Sequence, residues 1–163
     1  MSFVSDDLDG ASWPAIEPHM NDLRDRTLSC SGCLKTFIAD RSALSEIISE
    51  ARARLYIDMT CHTDDEVIQK AWMDFVENVE PKLSEYSDIL NRRIVEHDAV
   101  GELPERYEIL IKGLTTNIEI FREENIPLQT EDSKLGQQYD EINGAMMVNF
   151  QGEERTMPQM ARF

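Results

Sequence analysis

The sequence has few cysteines and no long apolar run. Its three cysteines, Cys30, Cys33 and Cys61, form an odd and sparse set, unlike the disulfide framework of a small secreted domain. Residues 1–14 contain neither a basic region nor an apolar segment of signal-peptide length, and a run of about 18 apolar residues, the length of a membrane span, occurs nowhere. We therefore expect a cytoplasmic protein in a reducing compartment.

Basic residues are scarce as well. Sixteen lysines and arginines stand against 32 aspartates and glutamates, which gives a formal net charge of −16. This charge disfavours docking on nucleic-acid phosphates or on anionic lipid, so we expect neither nucleic acid nor a membrane as a partner. The acidic surface can instead attract a basic peptide or a basic partner domain, or it can consist of solvated helix faces.

Glycine and proline number only seven and six, while hydrophobic residues make up an ordinary 41%. This composition argues against disorder, and 163 residues suit one core. Apolar residues recur at helical spacing along most of the chain. We predict a mainly α fold, in which amphipathic helices pack as an antiparallel helical domain with a small C-terminal β-hairpin. The predicted organisation is a flexible lead-in over residues 1–12, the helical domain over residues 13–144, and the hairpin with the start of a further connection over residues 145–163.

Caps and prolines predict where the first helices begin. Pro18, which is tolerated in a first turn, favours a short helix over residues 17–26. Ser29 is expected to cap a second short helix, and Asp40 a third, whose apolar stripe ends at Met59.

The middle of the chain carries the clearest helix start. Thr63 and Glu66 have the spacing of a capping box. The apolar stripe that follows continues to Pro81 and resumes almost in phase beyond it. The segment is therefore either one long helix with a kink at Pro81, which we favour, or two helices. Gly101 is expected to end this element.

Two further helices are predicted after residue 101. Pro104 opens the first, and Pro127 ends it. Thr130 is expected to cap the second, which runs to about Ile142, with Gly144 as its left-handed stop. The residues expected to face inward from the first of these helices are Tyr107, Leu110, Ile111, Leu114, Ile118 and Phe121.

The hydrophobic period then changes. Residues 147–150 and 153–157 read as the two strands of a tight hairpin, with Gln151 and Gly152 at its turn. Because an isolated hairpin is marginal in water, it must lean on other structure. Met147, Phe150 and Met157 are expected to pack either on the helices of this chain or on a domain that it lacks.

Cysteine and histidine spacing gives three alternatives for chemistry. Cys30 and Cys33 have zinc-knuckle and redox-motif spacing, and Cys61 with His62 could complete a four-ligand zinc site. The adjacency of Cys61 and His62 makes joint tetrahedral ligation awkward, and a thioredoxin-like motif lacks its strand–helix setting. We expect ordinary buried or surface thiols.

No complete catalytic constellation occurs. His19, His62 and His97 are isolated from one another and outside any H-E-x-x-H motif, so each is expected at the surface or at a helix end. Neither a phosphate-binding glycine loop nor a nucleophile elbow occurs. We therefore assign no catalytic, cofactor-binding or metal residue in this chain.

Four segments carry a family resemblance. They are residues 54–66 (RLYIDMTCHTDDE), 75–83 (FVENVEPKL), 121–128 (FREENIPL) and 142–163 (INGAMMVNFQGEERTMPQMARF). Their order and spacing resemble the amino-terminal region of oligoendopeptidase F-like enzymes, in the thimet oligopeptidase group of zinc metallopeptidases. The resemblance covers residues 16–163.

The resemblance implies a helical channel wall that precedes a zinc-containing catalytic body and admits oligopeptides. The H-E-x-x-H helix of the family and its additional glutamate ligand have no counterparts in these 163 residues, so no catalytic residue is carried over. We expect a truncated amino-terminal domain, inactive alone, whose partners are the missing catalytic domain with its zinc and an oligopeptide substrate. The alternative is a stand-alone acidic helical interaction module.

Overall fold

A computed structural model describes residues 3–163. Residues 1 and 2, the first two of the predicted lead-in, lie outside the described residues. The fold is mainly α with a small C-terminal β-hairpin, which confirms the predicted fold class. The helices are α1 (Trp13–Asp25), α2 (Ser31–Cys61), α3 (Glu66–Asn78), α4 (Glu80–Val95), α5 (Glu108–Ile120), α6 (Asn125–Ala145) and the one-turn α7 (Met157–Met160). The strands are β1 (Met147–Phe150) and β2 (Glu153–Thr156), and two 3₁₀ helices, Asp98–Glu102 and Glu105–Tyr107, lie between α4 and α5.

The core lies between the first four helices. Each contributes one apolar face, while α5 adds Leu114 and α6 adds Ile126. The most completely buried large side chains are Phe37, Phe75, Ile16, Leu23, Leu34, Leu44, Met59, Leu90 and Ile94. Most of the exposed large hydrophobic side chains, by contrast, follow residue 108. The chain therefore has a well-packed first part and a C-terminal part with little apolar burial.

The first helix begins earlier than the sequence predicted. It starts at Trp13 with Pro14 in its first turn, so Pro14 occupies the favourable position that was assigned to Pro18. Pro18 lies inside α1, where its missing N–H leaves one helical hydrogen bond unmade. The predicted range 17–26 is therefore wrong at its start.

The second and third predicted helices are one helix. The 31 residues of α2 run without a break, because neither predicted cap acts as one. The N-cap is Cys30, one residue beyond Ser29, and its sulfur accepts a hydrogen bond from the Cys33 N–H. Asp40 lies inside α2 and pairs with Arg26 at 2.5 Å.

The predicted kink at Pro81 is a break into two helices. Val79 ends α3 and begins α4, and Pro81 stands in the first turn of α4, where no N–H is required. The start of α3 also differs from the prediction. Asp65 rather than Thr63 is its N-cap, and the Asp65 carboxylate accepts hydrogen bonds from two backbone N–H groups.

The ends of the later helices also differ from the prediction. Gly101 does not end α4, since α4 ends at Val95 and Gly101 lies in the 3₁₀ helix that follows. Pro127 lies in the first turn of α6 and does not end α5, so that α6 begins five residues before the predicted cap, Thr130. Gly144 lies inside the last turn of α6 without a positive φ.

The predicted lead-in packs on the helical domain. Val4 is 5% exposed and belongs to the core. A Cβ atom on Gly10 would stand 2.6 Å from the carbonyl oxygen of Ile47 in α2, so this close approach requires glycine. The described part of the lead-in, residues 3–12, therefore contributes to the packed body.

The hairpin is confirmed. Met147 pairs with Thr156, and Phe150 pairs with Glu153. Both turn residues have positive φ, 57° at Gln151 and 86° at Gly152, as a two-residue turn of this kind requires. Met157, predicted in the second strand, instead begins α7, whose N-terminus is a capping box between Thr156 and Gln159.

Candidate functional site

The cysteines lie at opposite ends of α2. Cys30 and Cys33 flank its N-terminus, and Cys61 is its last residue. A helix of this length spans about 45 Å at 1.5 Å per residue. A shared zinc site of Cys30, Cys33, Cys61 and His62 is therefore impossible in this fold. Over residues 3–163, no group of three or more His, Cys, Asp or Glu side chains is arranged to hold a metal ion.

The first two cysteines form a disulfide, with Cα atoms 5.1 Å apart. The expectation of ordinary thiols is therefore wrong for this pair, whereas Cys61 is an exposed thiol as predicted. The sequence signal for the pair was the C-x-x-C spacing, which the prediction discounted because it lacks a preceding strand.

Reduction of the disulfide is expected to change stability little. The bridge spans a sequence separation of three, so loop-closure entropy limits its contribution to about 2 kcal/mol. Urea unfolding with and without a phosphine reductant measures the difference, and a Cys61→Ser variant controls for effects on the free thiol. A loss of more than about 4 kcal/mol would contradict the assignment of a small local constraint.

The three histidines lie apart. His62 and His97 lie at helix ends as predicted, whereas the prediction is wrong for His19, which is half-buried in the middle of α1. His19 meets the Phe3 ring edge-on at 5.3 Å between ring centroids. His62 is exposed at the end of α2. His97 bridges two loops, because its Nδ1 accepts from the Ala99 N–H at 3.0 Å while Nε2 lies 3.2 Å from the Leu28 carbonyl oxygen. These contacts describe structural roles.

Helix α6 is attached to the domain mainly through polar side chains. The Gln137 amide donates to Gln69 Oε1 at 2.8 Å, and both side chains are buried. Lys134 pairs with Glu77 of α3 at 3.0 Å, and this hydrogen bond raises the pKa of Lys134. Ile126 adds one buried apolar contact at the start of the helix. The inward face of α6 is therefore largely polar.

The opposite face of α6 is apolar and exposed. Four of its side chains and the C-cap residue of the helix form what we call the α6 stripe. These residues are Leu128, Leu135, Tyr139, Ile142 and the C-cap Met146, with exposed fractions of 64%, 62%, 63%, 67% and 45%. Spacings of seven, four, three and four residues place them on one side of the helix, nearly opposite Gln137. Most surface helices have the reverse arrangement, with the apolar side toward the core.

The hairpin extends this exposed apolar character. Met147 and Met157 are 52% and 44% exposed, and Phe163 is 67% exposed. Phe150 is half-buried against Phe163, with ring centroids 5.1 Å apart. The hairpin contacts α7 more than it contacts the long helices. We predicted that the hairpin packs either on the helices of this chain or on a domain that it lacks. The long helices of this chain make few contacts with it.

Comparison with protein-family models, curated proteins and solved structures gives no match. Within residues 3–163, no helix has the combined length and apolarity that a bilayer span requires.

The segments that carry the family resemblance fall mainly where helices meet. Residues 54–66 cover the end of α2 and the cap of α3, residues 75–83 the α3–α4 break, and residues 121–128 the start of α6. Residues 142–163 contain the hairpin.

The α6 stripe was missed by sequence reasoning. Its period is visible in the sequence, but a periodic apolar face normally indicates a buried one. The predicted start of the helix at Thr130 also left Leu128 outside it. The sequence signal for an exposed stripe is the polar face on the other side of α6. Gln137 and Lys134 lie on that face and contact the domain.

Proposed function

We propose that this chain is the amino-terminal, channel-wall domain of an oligoendopeptidase F-like zinc metallopeptidase, working in the cytoplasm with the Cys30–Cys33 pair in its reduced form. In this proposal the α6 stripe and the hairpin contact the catalytic domain, and the chain helps to position oligopeptide substrates without hydrolysing them. The single observation that carries the proposal is the apolar, exposed side of α6 opposite its polar attachment.

The free energy of burying apolar side chains favours a partner that packs on this face. Each side chain of Leu or Ile size gains about 1.5–3 kcal/mol on full burial. The stripe holds five large apolar side chains over about 27 Å of helix, from Leu128 to Met146. A face of this kind marks an interaction surface more often than a solvated one.

Acidic residues beside the stripe indicate the charge expected at the rim of a partner surface. Glu131 and Asp132 lie on either side of the apolar residues, and both are exposed. The chain as a whole has a net charge of −16. A complementary surface therefore has an apolar centre with lysine or arginine at its rim.

The family resemblance decides the identity of the partner in this proposal. Residues 142–163, the longest of the four segments on which the resemblance rests, include the last stripe residue, Met146, and the whole hairpin. The zinc and its ligands belong to the partner, because the sequence of this chain contains no H-E-x-x-H motif.

The runner-up is a stand-alone acidic interaction module. The same stripe favours it, since an amphipathic partner helix could lie along α6. The two functions differ in the partner: a covalently continuous catalytic domain in the first, and a separate protein in the second.

We expect the isolated chain to self-associate through the stripe. Sedimentation velocity should show dimers or larger species at about 50 µM, and replacing Leu135, Tyr139 and Ile142 together by serine should return the chain to a monomer, because the apolar driving force is removed. The measurement is the weight-average sedimentation coefficient over a concentration series.

A matched control uses exposed apolar residues elsewhere. Serine at Tyr56, Ile57 and Val67, which are 46%, 56% and 78% exposed, removes comparable apolar surface outside α6 and should leave association unchanged. A chain that stays monomeric at every concentration, or a control variant that abolishes association equally, would count against the stripe as a docking face.

A further inference from the structure

A second feature of the fold is a cavity between α1, α2 and α4, at a distance in sequence from the α6 stripe. Its volume is about 390 Å³, within the range of small-molecule sites. Its apolar floor consists of side chains that are almost fully buried, namely Leu23, Leu44, Ile48 and Leu90. Facing turns of α2 and α4 form the walls, and Gln129 of α6 closes one side.

A cation without an acidic partner lines this cavity. Arg41 is half-buried, and its Nη2 donates to Asn91 Oδ1 at 2.5 Å. Within residues 3–163, no carboxylate lies within 4 Å of its guanidinium nitrogens, although the chain carries twice as many acidic as basic residues. Burial lowers the pKa of Arg41. The guanidinium therefore has donors available and a site where an anion would replace lost solvation.

The walls of the cavity supply further donors. Ser45, Ser49, Ser84 and Ser87 line it, and in the described part of the chain none of these hydroxyls has a protein hydrogen-bond partner. Ser45, Ser49 and Ser87 are exposed and Ser84 is half-buried, so all four hydroxyls can be reached from solvent. The cavity hydroxyls are free to meet a ligand.

The acidic residue at the rim is neutralised. Glu80 lines the same cavity, but its carboxylate pairs with Arg52 Nε at 2.5 Å. Arg41 therefore remains the uncompensated charge at the cavity. An anionic head group at Arg41 with an apolar body over Leu44 and Ile48 matches both the charge and the floor.

We propose that this cavity binds a small organic carboxylate with an apolar body, held at its carboxylate by Arg41 and by the serine hydroxyls. Two sources share this chemistry, a fatty acid and the free C-terminus of a peptide that ends in an aliphatic residue. No residue of the α6 stripe lines the site, although Gln129 of α6 borders it, so binding can be measured on this chain without the proposed peptidase partner.

Isothermal titration calorimetry of the full chain tests the site with three probes: N-acetyl-L-leucine, its amide N-acetyl-L-leucinamide, and octanoate. We expect both acids to bind and the amide to bind at least about tenfold more weakly than its acid, because it lacks the charge that Arg41 recognises. The tighter of the two acids identifies the source, either a peptide terminus or a fatty acid.

A matched pair of variants links binding to Arg41. Arg41→Gln should weaken both acids at least about tenfold while leaving the amide unchanged. Arg54→Gln, which removes an exposed arginine of the same helix that pairs with Glu50 at 2.6 Å, should bind like the wild type. Circular dichroism checks that the variants fold, and the comparison of acid with amide on the wild-type chain stands without them. Equal affinity of acid and amide, or no binding of either acid at about 10 mM, would overturn the proposal.

Discussion

Replacing Arg93 by alanine is expected to lower the free energy of unfolding by about 3 kcal/mol. The guanidinium of Arg93, on α4, donates to the carbonyl oxygens of Leu23, Arg24 and Arg26, where α1 ends. Leu23 and Arg24 lie in the last turn of α1 and Arg26 is its C-cap residue, so these carbonyls have few other donors. The same guanidinium lies over the Phe37 ring, with its central carbon 5.4 Å from the ring centroid.

The size of this effect depends on the carbonyl groups that lose their charged hydrogen-bond donor. Hydrogen bonds from a charged donor contribute about 1.5–3 kcal/mol each, and a cation favours a helix C-terminus through the helix dipole. Removal of the guanidinium leaves the part-buried Leu23 and Arg26 carbonyls and the exposed Arg24 carbonyl without this donor, and it weakens the contact between α1 and α4. Because the three bonds share one side chain, their contributions do not add in full.

Urea unfolding followed by circular dichroism measures the loss. Arg54→Ala is the control, since Arg54 is exposed and forms only a within-helix pair with Glu50, and its loss should cost less than about 0.5 kcal/mol. If Arg93→Ala and Arg54→Ala are equally stable, Arg93 does not join the two helices.

Replacing Gln69 by leucine is expected to cost about 2.5 kcal/mol. The buried Gln69 amide donates to the carbonyl oxygens of Met59 at 2.9 Å and of His62 at 3.0 Å, and its Oε1 accepts from Gln137. Leucine fills a similar volume but removes the side-chain donor to the Met59 carbonyl and one of two hydrogen bonds at each of the other groups. The His62 carbonyl keeps the Asp65 N–H, and the Gln137 amide keeps Glu141 Oε1. One side chain therefore joins the end of α2, the start of α3 and the middle of α6.

A second readout distinguishes this role from general packing. Native-state hydrogen exchange should show α6 opening at lower free energy in Gln69→Leu, because α6 is attached mainly through polar contacts. Gln138→Leu, at an exposed position on the same helix, is the control and should change neither stability nor exchange. Uniform loss of protection over all helices would show that Gln69 acts on the core as a whole.

The class of the fold was predictable because it depends on the spacing of apolar residues along the chain. Apolar spacing of three and four indicates helices, and the change to a period of two after Gly144, followed by Gln151-Gly152, indicates the hairpin. Helix ends were less predictable, since a cap residue acts only if its side chain is free. Asp40 shows this: it has the right chemistry for a cap, but in the fold it pairs with Arg26.

The candidate sites depend on tertiary placement. The orientation of α6, which leaves the stripe exposed, depends on tertiary contacts such as Gln69–Gln137, which joins residues 68 positions apart. The cavity beside Arg41 is formed by α2 and α4 together, and Arg41 is held there by Asn91, 50 positions away. Neither contact has a local sequence signal. Likewise, the shared zinc site of Cys30 and Cys61 is excluded only because α2 is one continuous helix.

The central claim is that this chain functions as one wall of a larger zinc peptidase. It is tested most directly by capturing every native form with an antibody to this domain, then measuring intact mass and oligopeptide hydrolysis of the captured protein. The account predicts a species several times larger than 18.8 kDa that cleaves fluorogenic oligopeptides, loses activity with a zinc chelator and regains it with zinc. A single captured species of 18.8 kDa without peptidase activity would contradict it and favour the interaction module.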